Sequence, residues 1–375
     1  MKVTGIICEY NPLHRGHKKQ LDAIRAGAPD SGIVCLMSGN FVQRGAPAVF
    51  DKSVRSKAAI LAGADLVLEL PVTSSLNSAE GFAAGGVRIL SGFCDTLCFG
   101  AESADGEMLM CLARALLHED FPAALRLQLE TGLSFPAARQ AALEALGIDA
   151  APLSLPNNIL AVEYCKAILA QNSPMQVQVI HRQGSYHDTA PDAKNPSATA
   201  LRALIEQGSP WEQYVPDASV FSGAAVHTLS YGEAAILYRL RTMTDGEFEA
   251  LPFSGEGLWR KLMHASRSYA SLSDILAQTK SKRYTRTRLD RMVMCAFLDI
   301  TGQMLTAPAP YVRVLALNDK GRQILKDARQ SGQFVNIGEK QEGAMQALED
   351  RCDRLYGLFT KTPEATPDYR VYYHQ

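Results

Sequence analysis

The stretch Gly5-Ile-Ile-Cys-Glu-Tyr-Asn-Pro-Leu-His-Arg-Gly-His-Lys-Lys-Gln20 constrains the fold more than any other. Val3 to Cys8 is a short apolar, β-branched run suited to a buried parallel strand. Asn11-Pro12 interrupts it, and Gly16-His17 opens a helical pattern that continues through Leu21 and Ile24. A strand therefore feeds a tight loop and then a helix start. The first backbone N–H groups of such a helix carry partial positive charge and face the carboxyl edge of the sheet, where they suit a phosphate. His14 and His17 enclose Arg15-Gly16, so both rings can face one bound group while Gly16 lets it approach the backbone. Two imidazoles beside a triphosphate can donate hydrogen bonds to oxygens whose charge grows as the α-phosphorus is attacked. The plainer reading is that one histidine caps the helix and the other packs. The strand–loop–helix setting favours the phosphate role.

At 375 residues the chain is too long for one ordinary core and suits two or three domains. A hydrophobic fraction of 47% with 21% charged residues describes a soluble globular protein. No stretch approaches the roughly 20 apolar residues of a membrane span, and the N-terminus lacks a signal-peptide pattern, which predicts a cytosolic protein with no membrane partner. Cys94 and Cys98 are the only close pair among eight scattered cysteines. They predict reduced, packed thiols and no protein-held metal site. Net charge is −1, yet Ser254 to Gln330 holds 14 Lys+Arg against 6 Asp+Glu, an excess of +8 that leaves −9 for the rest. A neutral total thus conceals one basic face, which a nucleic acid would meet.

Further along, Gly32 to Met37 and Asp65 to Leu70 read as strands, with a capped helix, Lys52 to Ala62, between them. Lys52, Arg55 and Lys57 on that helix either approach the phosphates or form a solvated face. Ala79 to Leu90 reads as a helix and Thr96 to Phe99 as the fourth strand, running into a loop from Gly100 to Ser103. The β-α-β-α alternation predicts an α/β, Rossmann-like, doubly wound parallel sheet. Residues 103–150 predict a helical insertion of two or three helices. Pro156-Asn157-Asn158-Ile159-Leu160 opens another helix, whose paired Asn side chains either cap it or read an adenine or ribose edge. Val177 to Ile180 is a fifth strand that ends in His181-Arg182-Gln183. Ser197-Ala-Thr199-Ala-Leu-Arg202 is a capped helix start with an arginine in its second turn.

Past Gly208 the pattern turns mostly helical, with helices expected over 230–241, 257–270, 271–278 and 287–302 and a break at Pro308-Ala309-Pro310. The strongest basic run is Lys280, Lys282, Arg283, Arg286, Arg288 and Arg291, with Tyr284 among them. It reads as a solvated surface or as a set of phosphate-backbone contacts with a base stacked on the tyrosine ring. The expected division is a catalytic domain, 1–208, and a mostly helical, basic domain, 209–375. No covalent nucleophile or glycosidase-like carboxylate pair is evident before Arg202. That suits adenylyl transfer, which needs mainly positioning and charge neutralisation.

His14-x-Gly16-His17 resembles the first signature of the adenylyl-transferring nucleotidyltransferase superfamily, and Ser197-x-Thr199-x-x-Arg202 resembles its second. The longer string Glu9-Tyr-Asn-Pro-Leu-His-Arg-Gly-His17 is similar to that of the tRNA(Met) cytidine acetate ligase family, as are Pro156 to Leu160 and Tyr311 to Arg322. The resemblance covers nearly the whole chain, and it implies catalytic roles for His14, His17 and Arg202. It implies ATP contacts through Ile7, Cys8, Glu9, Tyr10, Asn11, Pro12, Gly16, Lys18, Gln20, Gly100, Asn157, Asn158, Arg182, Gln183, Ser197 and Thr199, with Mg2+ bridging the phosphates. It further implies that acetate is activated as acetyl-adenylate and passed to N4 of the wobble cytidine of elongator tRNA(Met), which the basic run holds, with no obligate protein partner. Two alternatives remain open from the residues alone: adenylylation of a small phosphorylated or carboxylated metabolite, and a non-catalytic nucleotide- or RNA-binding protein.

Overall fold

Every residue of the second apolar run, Gly32–Ser38, is buried, and alternate side chains enter different cores. Ile33, Cys35 and Met37 join one core, Val34 and Leu36 the other. A strand covered on both faces belongs inside a parallel sheet layered between helices, and that is the architecture found. The structure, a computed structural model, describes residues 1–182, 197–281, 284–330, 332, 335–336, 343–363 and 370–374. The main sheet contains β1 (Val3–Cys8), β2 (Gly32–Ser38), β3 (Leu66–Leu70), β4 (Thr96–Ala101), β5 (Gln176–His181), β6 (Val312–Leu317), β7 (Val335–Asn336) and β8 (Tyr372–Tyr373). Their order is β8-β6-β3-β2-β1-β4-β5, with β7 also paired to β6. All pairings are parallel except that of β3 with β6.

Chain order reverses direction between β1 and β4, so the loops after β1, β4 and β5 open onto one crevice at the carboxyl edge. On one face α1 (Arg15–Gly27) buries Leu21 and Ile24, and α2 (Lys52–Leu61) buries Ala58, Ala59 and Ile60. The other face is covered by α3 (Ala79–Leu90), by the insertion helices α4 (Gly106–Leu116), α5 (Phe121–Glu130) and α6 (Phe135–Ala145), and by α7 (Pro156–Ala170). Three helices thus occupy the region in which two or three were expected. Cys94 and Cys98 are buried side chains of these cores. Among the described residues no helix is long and apolar enough to cross a membrane.

Beyond α8 (Ala198–Glu206), the helices α9 (Leu229–Thr242), α10 (Leu258–Ser268), α11 (Leu272–Thr279) and α12 (Arg286–Leu298) build a third core. That core also takes in Phe41, Val72 and Leu76 from the first half of the chain. The helix expected to reach residue 302 stops at Leu298, because Asp299 adopts a left-handed conformation (φ 55°) that closes it. The chain then returns β6, α13 (Asp319–Gln330) and α14 (Ala344–Tyr356) to the sheet.

Candidate active site

The turn from β1 into α1 is held by contacts on three sides. Tyr10 has a left-handed backbone (φ 44°), and its buried ring places the hydroxyl 3.4 Å from Cys35 Sγ. Asn11 Oδ1 accepts the Val49 N–H at 2.8 Å. Arg55, fully buried, donates to the carbonyls of Glu9 (2.7 Å), Ser38 (3.1 Å), Gly39 (2.5 Å) and Phe50 (2.8 Å). Arg55 therefore ties the loops after β1 and β2 together and does not reach for phosphates. Lys52 is likewise buried, in ion pairs with Glu69 and Asp353 at 2.7 Å each. Lys57 is exposed, its Nζ 5.4 Å from the Tyr372 ring centroid. The expected choice between phosphate contacts and a solvated face fails for Lys52 and Arg55, which are scaffold.

His14 is the N-cap of α1. Its Nδ1 accepts the Gly16 N–H at 3.1 Å, and His17 Nδ1 accepts the His14 N–H at 3.2 Å. The rings stack with centroids 3.7 Å apart and planes 22° apart. With both Nδ1 atoms acting as acceptors, the neutral rings carry their protons on Nε2. Among the described residues no hydrogen-bond partner meets the buried His14 Nε2, a donor whose desolvation they leave uncompensated. The histidine therefore caps the helix with one nitrogen, as the plainer reading has it, and leaves the other available. Burial, with Arg182 and Arg202 nearby, lowers His14 to about 3. Burial, then His14 and Arg182, hold His17 well below the usual range as well. Both rings are neutral donors at physiological pH.

Opposite them, Arg202 Nη1 donates to the Asn11 carbonyl at 2.8 Å and Nη2 to Thr199 Oγ1 at 3.2 Å. Ser197 Oγ caps α8 by accepting the Ala200 N–H at 3.1 Å. Beside β4, Glu102 accepts from Asn157 N (3.2 Å), Asn157 Nδ2 (2.7 Å) and Asn158 N (2.8 Å), a carboxylate on the positive end of α7. Asn157 Oδ1 in turn accepts from Arg182 Nη1 at 3.2 Å. A Cβ at Gly100 would make only ordinary van der Waals contact among the described residues, with the Ile180 carbonyl at 3.9 Å and Arg182 Cβ at 4.0 Å. The loops after β1, β4 and β5 and the start of α8 thus converge two imidazoles and two guanidiniums on one cleft. That donor set fits a triphosphate. Among the described residues no three carboxylate, imidazole or thiol groups cluster as a metal site.

Residues 1–369 match the HIGH Nucleotidyl Transferase family. The tRNA(Met) cytidine acetate ligase of Clostridium novyi is 35% identical over 403 aligned residues, covering 99% of this chain and 98% of the relative. That of Thermosipho melanesiensis is also 35% identical, over 90% of this chain and 84% of the relative. This chain belongs to the tRNA(Met) cytidine acetate ligase family. The crystal structure of Thermotoga maritima TmcAL without ligand superposes with a TM-score of 0.91 at 29% identity, covering 100% of both chains. The same protein bound with alpha-thio ATP superposes with a TM-score of 0.88, again at 29% identity over 100% of both.

In this member of the tRNA(Met) cytidine acetate ligase family, several residues expected to contact the nucleotide make contacts within the protein. Ile7 packs beside Gly86, where a Cβ would stand 2.5 Å from Ile7 Cδ1. Burial and Cys35 raise the Cys8 thiol, and Pro12 is buried. Gln20 Nε2 reaches back to the Cys98 carbonyl at 3.5 Å, and Lys18 pairs with Asp22. Asn158 is buried with its amide committed to Ser103 and the Pro152 carbonyl, so it shapes the loop after β4. Gln183, Lys282 and Arg283 lie outside the described residues. Lys280 and Arg286 are exposed, Arg286 pairing with Asp290 at 2.8 Å, and Arg288 is half-buried against the Phe253 carbonyl. Tyr284 is no stacking platform: its ring is buried, its hydroxyl donates to Glu256 at 2.9 Å, and the Arg288 guanidinium covers it at 4.8 Å. Arg291 is also buried, 5.1 Å from the Phe253 ring and 3.4 Å from the Gln43 carbonyl, since α12 enters the core after its first turn. Glu102 escaped the sequence reading, which took the loop 100–103 only as far as its glycine. A carboxylate directly after a strand and across from a helix start was the available signal.

Proposed function

We propose that the chain is an ATP-dependent tRNA acetate ligase. It activates acetate as acetyl-adenylate and passes the acetyl group to N4 of the wobble cytidine of elongator tRNA(Met), giving N4-acetylcytidine. The observation that carries the reading is the buried His14 Nε2, without a hydrogen-bond partner among the described residues, on a ring stacked on His17 and faced by Arg202 and Arg182, because such a set of donors suits an oxyanion. A carboxylate oxygen of acetate attacks the α-phosphorus in line, the bond to the β-phosphate oxygen breaks, and pyrophosphate leaves. His14 and His17 donate to the α-phosphate oxygens as their charge grows. Arg202, with Thr199 and the N-terminal N–H groups of α8 behind Ser197, takes the departing phosphates. Asn157, fixed by Glu102, faces the nucleoside, and Asn158 acts on it through the loop. Mg2+ bound to the triphosphate, beside the phosphates held by Arg202 and Thr199, would add charge neutralisation of the leaving group. The exposed Lys280 and Arg286 of the basic run hold the RNA backbone while the cytosine is splayed toward the adenylate, and in sequence Lys282, Arg283 and Arg288 add to that charge.

The test is to incubate the protein with ATP, labelled acetate and unmodified elongator tRNA(Met), then digest the RNA. Labelled N4-acetylcytidine, absent without ATP, is expected, with an initiator tRNA control unlabelled. Pyrophosphate exchange into ATP driven by another small acid or phosphorylated metabolite, with no label in RNA, would place the chain among metabolite adenylyltransferases instead.

A further inference from the structure

We propose that Glu9 receives the acceptor cytosine: a carboxylate oxygen accepts a hydrogen bond from the exocyclic N4 amine and takes the proton that this amine loses on acetylation. The inference rests on the acetate ligase reading and deepens it. Glu9 follows β1 directly and is half-buried at the carboxyl edge of the sheet. Its Oε1 accepts the Gln43 N–H at 2.7 Å, and Arg55 holds its carbonyl at 2.7 Å, so side chain and backbone are both fixed. Among the described residues no hydrogen bond engages Oε2. Of the other carboxylates at this edge, Glu102 has both oxygens committed to the start of α7 and Glu69 is buried in ion pairs with Lys52 and Arg313.

On one side of Glu9 lies the phosphate-binding Arg202, close enough for the Glu9 charge to counter in part the burial that lowers the guanidinium. On the other side, Gln43 belongs to the hairpin Phe41–Val42/Ala46–Pro47, which is docked on the helix of the basic run. The Gln43 carbonyl accepts from Arg291 at 3.4 Å, and a side chain at Gly45 would overlap the main chain of Asp290 and Arg291. Glu9 therefore stands between the nucleotide cleft and the helix that meets the RNA, where adenylate and cytosine must be brought together. A carboxylate is the side chain that pairs with a cytosine N4 donor. The N4 lone pair is delocalised into the ring, so attack needs a base. The lone pair forms a bond to the acetyl carbonyl carbon, the carbonyl–oxygen bond to phosphate breaks with its electrons leaving on AMP, and the N4 proton passes to Glu9 and on to water.

Glu9→Gln keeps an oxygen for the Gln43 N–H and removes the base. Enzyme-bound acetyl-adenylate is formed from ATP and labelled acetate, then mixed with unmodified tRNA(Met) in a single turnover. The variant is expected to transfer acetyl about 100-fold or more slowly. Acetate-dependent pyrophosphate exchange should fall by a much smaller factor. Transfer within about threefold of the parent, or equal losses in exchange and transfer, would overturn the proposal. A parent protein that makes acetyl-adenylate but labels no RNA would instead overturn the ligase reading beneath it.

Discussion

At His14 the ring that caps α1 folds back over Gly16, where a Cβ would stand 2.9 Å from its Cε1, so the glycine between the histidines is required by the cap. His17 completes the arrangement from one turn on, and its stacking on His14 fixes where both Nε2 atoms point. His17→Ala should lower acetate-dependent pyrophosphate exchange about 100- to 1,000-fold while tRNA affinity, read by filter binding, changes by less than about threefold. Comparable losses in both would contradict the separation of activation from RNA binding. His14 also makes stability depend on pH. Its value falls from 6.5 to about 3 on folding, so below pH 6.5 the unfolded chain takes up a proton that the folded chain refuses, and stability drops as pH falls from 6.5 to 3. For this group the drop is about 1.4 kcal/mol per pH unit. His14→Asn keeps a capping acceptor and should flatten denaturation free energy against pH by up to one proton in that window; an unchanged slope would contradict the assignment. The motif was legible because its chemistry is local. Asn158 misled for the opposite reason: an amide that is consumed by Ser103 and Pro152 looks, in sequence, like one that is free for a nucleotide.

At the scale of elements, the strands were readable because a strand buried on both faces is a continuous apolar run, as Gly32–Ser38 is. The basic run was legible as charge but not as geometry. From Arg291 to Leu298 every residue of α12 is buried, so only its first turn can meet a polyanion, and Tyr284 turns inward to Glu256. Lys280→Ala and Arg286→Ala should each weaken tRNA binding evenly across RNA sequences and reduce the slope of log affinity against log salt by about 0.7 to 0.9. Unchanged slopes would move the RNA face elsewhere. Glu9 was named in sequence as an ATP contact, but the docking of its hairpin was beyond sequence reading, because Gly45 meets Asp290 and Arg291 across more than half the chain.

At the scale of the molecule, an ion network joins the halves that the sequence divides at residue 208. Lys52 of α2 pairs with Glu69 of β3 and with Asp353 of α14, and Arg313 of β6 lies 3.4 Å from Asp353 and 3.6 Å from Glu69. Lys52→Met leaves two buried carboxylates with less compensation and should cost about 3–5 kcal/mol, with the sheet and the helical half unfolding in one calorimetric transition. Two separated transitions would contradict a shared structure. This union sets the nucleotide cleft against the RNA helix, and the account rests on the cleft's paired imidazoles gripping a triphosphate. The most direct measurement is a crystal structure with a non-hydrolysable ATP analogue. It should place His14 Nε2 and His17 Nε2 about 2.7–3.2 Å from phosphate oxygens, with Arg202 on the β- or γ-phosphate. A nucleotide bound elsewhere, with both rings still meeting only protein, would contradict the account.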